Sequence, residues 1–375
     1  MSYEAPYAGL RVVDLSQGIA GPYCAMLLAQ YGADVVKVEP PDGDWSRFLG
    51  VRYGDHTAFS VAGNLGKRSV VLDLKQAADK TALWRLVERA DIFLEGFRPG
   101  VIDRLGFGYD GVAAVNPRIL YLSISGFGQV GDLAEKPAMD PILQAFSGFM
   151  KANLDQEGRP VRTAPIIIDM ATALYGFQAV SAALFARQSE TMGRRIDLNL
   201  MQGAANLQGV RMMQTHLLGE QPPPNNAPNG AFHCKEGMIF VVVMRQDHYV
   251  KLCDIIGLSE LGTDPRFQTP MDRANYRDEI NERVTAAMLK KTAAEWTALF
   301  TEAGLQNEQV LDYLEFLEHP QVAATGLISW LDQPGMERPV PLPNPPGTPP
   351  LEPRGRLAHA PTTGEHTAEV LAEIA

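Results

Sequence analysis

Cysteine is scarce in this chain: there are three in 375 residues, at Cys24, Cys234 and Cys253, an odd number spread too widely for a disulfide framework. They are expected to be reduced core thiols of a cytosolic protein. His233 and Cys234 are followed by His248 and Cys253, but these spacings match no zinc pattern, and no metal site is expected. Basic charge is also short, with 33 Lys and Arg against 44 Asp and Glu and a formal net charge of -11. That balance disfavours nucleic acid as the main partner, yet leaves room for a local basic pocket around an anionic ligand. The start, MSYEAPYAGL, lacks a basic and apolar leader. The longest weakly charged run carries Asp169, Tyr175, Gln178 and Ser181, so neither export nor a membrane span is expected. What is left is a soluble globular chain, 46% hydrophobic and 21% charged, long enough for two domains.

Within it, LRVVDLSQ reads as a buried strand and GIAGP as a tight turn with Pro22 at a first helical position. YCAMLLAQYG reads as a helix ended by Gly32, and ADVVKVEPP as the next strand. Such a βαβ unit implies a parallel sheet, because only a crossover brings the two strands side by side. The theme recurs in SVVLDLK, in a helix from Ala77 to Arg89, in DIFLEGF, and in RILYLSISGFG after a short helix ending near Asn116. An α/β fold with a Rossmann-like open parallel sheet follows. QPPPNNAPNGAF breaks the pattern, and MIFVVVM, RQDHYVKLCDIIG and two amphipathic helices in YRDEINERVTAAMLKKTAAEWTALFTEAG suggest a second, smaller α+β domain. EQVLDYLEFLEHPQV adds a helix, and the proline-dense 334–353 stretch is either a ligand for a proline-binding module or a surface strap back to the first domain. The expected division is a large domain at 1–205, a linker at 206–225, a small domain at 226–325 and a returning segment at 326–375.

Open sheets bind ligands beyond the carboxyl ends of their strands, which directs attention to GIAGP, LDLK and EGFRPG. Lys37, Lys67, Arg68, Lys75, Arg98 and Arg104 lie on or near these loops, a cation cluster suited to a ligand with several phosphates. Gly126, Gly128 and Gly131 spell a dinucleotide fingerprint, but on a late strand and with Pro137 and Pro141 interrupting the helix that should follow. Asp169 closes the apolar run APIII just before ATALYGFQAVSAALFAR, with no charged neighbour from Thr163 to Ala186. Such a carboxylate is either a plain helix N-cap or a poised nucleophile, kept ionised by first-turn amides and the helix dipole.

Several stretches together resemble family III coenzyme A transferases: LRVVDLSQGIAGPYCAMLLAQYGADVVKVEPPDGD, NLGKRSVVLDLK, ADIFLEGFRPGVIDRLGF, NPRILYLSISGFGQ, MDPILQAFSGFM and GEHTAEVL. The resemblance covers almost the whole chain in order. It implies a CoA-binding Rossmann-like domain, a smaller inserted domain, and a homodimer of two interlocked rings, with the proline-dense strap and the C-terminus packing back on the first domain. It places the family's catalytic aspartate on Asp169. CoA contacts fall on Ile19, Ala20, Leu72, Asp73, Leu74, Lys75, Gly96, Phe97, Arg98 and Arg104. Asp140 is expected to orient the pantetheine or the helix that carries Asp169, or to be a buried structural carboxylate. The implied activity moves CoA from an acyl-CoA thioester to a free carboxylic acid, with CoA as substrate and no tightly bound cofactor. First-turn amides beside Asp169 are expected to stabilise the oxyanion. A racemase or isomerase of the same fold, or a non-catalytic acyl-CoA binder, is the alternative. Racemases of the superfamily carry a histidine where this chain has Met139, which neither takes nor gives a proton. The glycine-rich flap of formyl-CoA transferase has no counterpart between residues 222 and 241.

Overall fold

Short runs of β-branched and aliphatic residues form the six strands of the large sheet in this computed structural model, which describes residues 5–155, 157–223 and 225–375. They are β1 (Arg11–Asp14), β2 (Asp34–Glu39), β3 (Arg68–Val71), β4 (Ile92–Glu95), β5 (Leu120–Ser125) and β6 (Arg194–Asn199). All pair in parallel, in the order β3-β2-β1-β4-β5-β6. Alternation sends Val12, Val35, Ile92, Leu94, Leu120 and Leu122 to one face, and Val13, Val36, Phe93 and Tyr121 to the other. Helices cover both faces, so β4 and β5 are buried along their whole length, as parallel sheets require. Strand order reverses between β1 and β4, and the loops that leave their carboxyl ends part there to open a crevice.

The helix after β1 runs Ala20–Gln30, so Pro22 is its third residue and not its first; its missing N–H still costs nothing, because first-turn amides have no partner inside a helix. Gly32, at φ 104, turns the chain out of it. Gly126, Gly128 and Gly131 follow β5 without opening a helix; the next one begins at Asp140, so the dinucleotide fingerprint fails in its structural context. The Ile167–Ala186 helix is the one helix among the described residues long and apolar enough to cross a membrane. Its Ile168, Ala173 and Val180 belong to the core on one face of the sheet.

The chain divides into two compact units, Met1–Gly209 with Gln321–Ala375, and Val210–Pro320. The segment read as a linker at 206–225 contains a helix, Gly209–Leu218. In the second unit β7 (Asn229–His233), β8 (Met238–Val242) and β9 (Asn307–Gln309) form an antiparallel sheet. Tyr249, Trp296 and Phe300 from its helices pack on Ile239 and Val241. Cys234 and Cys253 are buried thiols of this core, as Cys24 is of the first, and burial pushes the Cys253 thiol up to about 12.

The proline-dense stretch is a strap on the first unit. It pairs β11 (Val340–Pro343) with β10 (Ile328–Leu331), and Met336, Val340, Leu342 and Leu351 pack against a core that includes Met26, Leu27, Val61 and Leu65. The Thr367–Glu373 helix closes the far edge of the large sheet. Val370 is fully buried there, Val71 donates its N–H to Thr367 at 3.1 Å, and Arg68 holds Asp34, Glu369 and Glu373.

Candidate active site

The loop after β1 is shaped by close contact. Gly18 has φ 83, and a Cβ there would lie 2.2 Å from the Trp45 ring, so only glycine fits. Its N–H is held by Asp44 Oδ1 at 3.0 Å. Beneath the loop lies a buried ionic network. Lys37 pairs with Asp44 at 2.8 Å and also donates to the Ser16 carbonyl. Lys67 donates to Asp14 at 2.7 Å, to the Pro22 carbonyl at 2.8 Å and to Asn64 at 3.0 Å. Arg47 forks onto Glu39 at 2.8 and 2.7 Å and reaches Asp55 at 3.2 Å. Burial alone would raise the carboxyls of Asp14 and Glu39, but the cations beside them hold both below the usual range.

This network corrects the sequence reading of a cation-rich rim. Lys37 and Lys67 are buried, Lys37 donating to two acceptors and Lys67 to three, and Arg68 clamps the C-terminal helix. Lys75, Arg98 and Arg104 are exposed. Sequence alone counts cations near a loop; their partners, brought in from other strands, decide whether they are free.

At the crevice between the loops after β1 and β4 lies a cavity of about 300 Å³. Ile19, Ala20, Gly96, Phe97 and Arg98 wall it, together with Asp169 and Met139. A smaller neighbouring cavity of about 180 Å³ is walled by Leu72, Asp73, Leu74 and Lys75. Leu15, Gln17 and Phe97 border both, so the two form adjoining parts of one crevice. Of the expected contacts, Arg104 and Asp140 line neither. Arg104 projects beside Gly100, where a Cβ would meet its guanidinium at 3.2 Å. Sequence reasoning did not single out Gln17, Trp45, Ser125 or Lys136, which also wall the first cavity. The cationic character of Lys136 was the available signal, but it sits in a loop without periodicity, folded so that its ammonium lies 5.5 Å from the Phe127 ring centre.

Asp169 is the third residue of its helix; Ile166 occupies the N-cap position. The capping reading therefore passes to Asp140. Its Oδ2 accepts the N–H groups of Ile168 at 2.7 Å and of Asp169 at 3.1 Å, and its Oδ1 accepts from Gln144 at 2.6 Å. The neighbouring amides of Ile167 and Met170 are taken by the carbonyls of Pro165 and Ile166. The expectation that first-turn amides keep Asp169 ionised and serve an oxyanion is thus overturned, since those donors are spent. Among the described residues no group donates to the Asp169 carboxyl. Burial, and then the charge of Asp140, push it up to about 7. A carboxyl of that kind, half ionised near neutrality and bare of hydrogen bonds, keeps its lone pairs for an incoming electrophile.

A crevice at the switch point of a parallel sheet, with the exposed Arg98 in its wall and a carboxyl of raised pKa inside, is where such folds hold an anionic, nucleotide-like ligand. A model of the family described as CoA-transferase family III matches residues 7–367, and the chain belongs to that family. It is similar to the acetyl-CoA:oxalate CoA-transferase of Acetobacter aceti, 37% identical over 334 residues that cover 87% of this chain and 86% of that protein. It also resembles the succinate–glutarate CoA-transferase of Agrobacterium fabrum, 30% identical with 99% and 96% covered. Among solved structures, a CAIB/BAIF family protein from Brucella suis superimposes with a TM-score of 0.88 at 27% identity, covering all of both chains. The protein is a CoA-transferase with a mixed α/β fold, and a CoA thioester is its substrate.

Proposed function

We propose that this enzyme moves CoA from an acyl-CoA thioester to a free carboxylic acid through covalent intermediates on Asp169. The observation that carries the reading is the Asp169 carboxyl, uncapped and without a donor among the described residues, in the wall of the cavity that Gly96, Phe97 and Arg98 also line. The carboxylate attacks the thioester carbonyl, the C–S bond breaks, and CoA thiolate leaves a mixed anhydride on Asp169. The thiolate then attacks the aspartyl carbonyl and expels the donor acid as its carboxylate. The acceptor carboxylate attacks the resulting aspartyl-CoA thioester, displacing CoA thiolate and forming a second anhydride. Thiolate attack on the acceptor acyl carbon yields the new thioester and restores Asp169. No proton is consumed over the cycle. Apolar walls from Ile19, Ile124, Ala138 and Leu200 support it by limiting the water that would hydrolyse an anhydride.

Phe97 offers a ring for the adenine, and Lys75, Arg98 and Arg104 offer charge to phosphates on the outer rim. Asp140 is read as a positioning residue beneath the Asp169 helix. Met139, at the position of the racemase histidine, has no titratable group and Asp140 is bound up in capping, which disfavours the racemase reading. A cytoplasmic, interlocked homodimer with an inserted small domain completes the proposal. It is supported by apolar side chains left exposed on the helices around the site: Ile142, Phe146, Leu174 and Phe185. Light scattering at micromolar concentration should give a dimer mass, and a monomer would refute the interlock.

The deciding experiment mixes the protein with a panel of acyl-CoAs and a panel of free acids and reads new thioesters by mass spectrometry. Appearance of a thioester of the added acid is expected. Failure to form one, with isomerised or unchanged donor, would overturn the transferase reading. Hydroxylamine added with the donor should trap Asp169 as a hydroxamate.

A further inference from the structure

One buried acid in the first unit has no part in the reaction as described. Glu95 ends β4 immediately before the 96–100 loop and is 2% exposed. Its Oε2 accepts the N–H of Phe97 at 2.8 Å, two residues on, and so fixes the turn by which the chain leaves the strand. Its Oε1 accepts the hydroxyl of Ser123 on β5, and that hydroxyl in turn accepts from Gln129 Nε2 at 2.8 Å. Gln129 belongs to the loop after β5 that goes on to present Lys136, Ala138 and Met139 to the cavity. The chain Phe97–Glu95–Ser123–Gln129 therefore joins two loops that leave neighbouring strands and wall the same cavity.

We propose that Glu95 is a positioning residue for CoA, whose carboxylate sets the conformation of the 96–100 loop and ties it through Ser123 and Gln129 to the loop bearing Lys136. The proposal rests on the reading of the cavity as the CoA site. An apolar residue at 95 would satisfy the core equally well, but it would leave the Phe97 N–H unpaired and the two loops unconnected. Glu39, the corresponding acid at the end of β2, is ion-paired with Arg47, whereas Glu95 makes no ion pair among the described residues. The charged and titratable groups that face it are Arg195 on β6, Asp103 in the Val101–Leu105 helix and Tyr121 on β5. Burial outweighs the Ser123 and Phe97 bonds and the pull of Arg195, and pushes the carboxyl up to about 7. The tie consequently carries a proton equilibrium near neutrality. The ionised form accepts from Phe97 more strongly than the neutral acid does, so the loop is held more firmly as pH rises through 7.

Calorimetric titration of free CoA tests this, in an Asp169→Asn parent that removes the other carboxyl titrating in this range. The parent should bind CoA more tightly at pH 8 than at pH 6. Adding Glu95→Gln should raise Kd by about threefold to tenfold at pH 8, the scale of one hydrogen bond, and flatten the difference between the two pH values. Gln129→Ala, which leaves the buried acid in place, should weaken CoA by about threefold and keep the pH dependence. In enzyme retaining Asp169, Glu95→Gln should raise KM for the thioester by the same factor while kcat stays within about threefold, because the residue touches no reacting atom. Folded Glu95→Gln protein with parental affinity at pH 8, or with the parental pH dependence intact, would overturn the proposal. Should Glu95→Gln not fold, Gln129→Ala at parental affinity would do the same. Absence of CoA binding by the parent itself would instead overturn the reading of the cavity.

Discussion

At the ends of β1 and β2, Asp14, Glu39 and the nearby Asp44 each meet a buried cation. Across the same rim Asp140 lends its charge to two helix amides, and Asp169 meets no cation or donor among the described residues. Both regions bury carboxyl groups, and they lie against one crevice. In the first, charge is spent on shape: paired, hydrogen-bonded ions pin the glycine loop that lines the cavity. In the second, the Asp169 carboxyl is left unpaired and its pKa is raised, which is the condition the proposed nucleophile needs. The two regions answer pH in opposite directions. Glu39 is lowered, so its contribution to stability is present at neutrality and lost as pH falls through its folded value. Asp169 is raised to about 7, so from the ordinary aspartate range up to that pH the folded state binds more protons than the unfolded one. Its contribution is present in acid and lost as pH rises through 7.

The sharpest break of this contrast is Asp169→Asn. Turnover should fall by about three orders of magnitude or more, since an amide forms no anhydride, and the hydroxamate should vanish. Because Asp169 is not the cap, the substitution should raise thermal stability, less at pH 5 than at pH 8, where the native chain is otherwise forced to ionise a half-buried carboxyl. An active variant would rule Asp169 out as the carrier. The complementary break is Lys67→Met, which strands Asp14 in the core without its ammonium. A loss of about 3–5 kcal/mol is expected in denaturant unfolding. A loss below about 1 kcal/mol would mean that the network is not what holds the loop.

Asp140→Ala probes the boundary between the two regions. Two amides of the Asp169 helix lose their acceptor, at a cost of about 2 kcal/mol. Removal of a like charge should also move the acid limb of the kcat/KM profile, expected near pH 7, to lower pH. A profile unmoved in Asp140→Ala would show that burial alone sets Asp169. The smallest effect is expected at the rim, where Arg104→Ala should weaken CoA by about 1.5 kcal/mol, roughly tenfold, in a calorimetric titration. Unchanged affinity would leave phosphate recognition to Lys75, Arg98 and the second cavity.

Strand and helix order were legible because their signals are local. β-branched runs such as RVVD and DVVKVE alternate between two buried faces, and Gly32 and the proline-rich breaks punctuate them in sequence. Asp169 was legible as a candidate because a single acid inside a long apolar stretch stands out. Its role within its helix was not, because the competing cap, Asp140, is 29 residues away. Lys37 and Lys67 looked like free rim cations for a similar reason. Lys67 meets Asp14 across 53 residues, and pairing across that distance is set by strand order.

By itself the sequence determined a parallel α/β sheet and a lone acid in a long apolar stretch, since both are legible from neighbouring residues. Only the tertiary structure decided which charges are spent and which are kept. Solvation and pairing depend on side chains that the fold brings within about 3 Å of one another, whatever their separation along the chain.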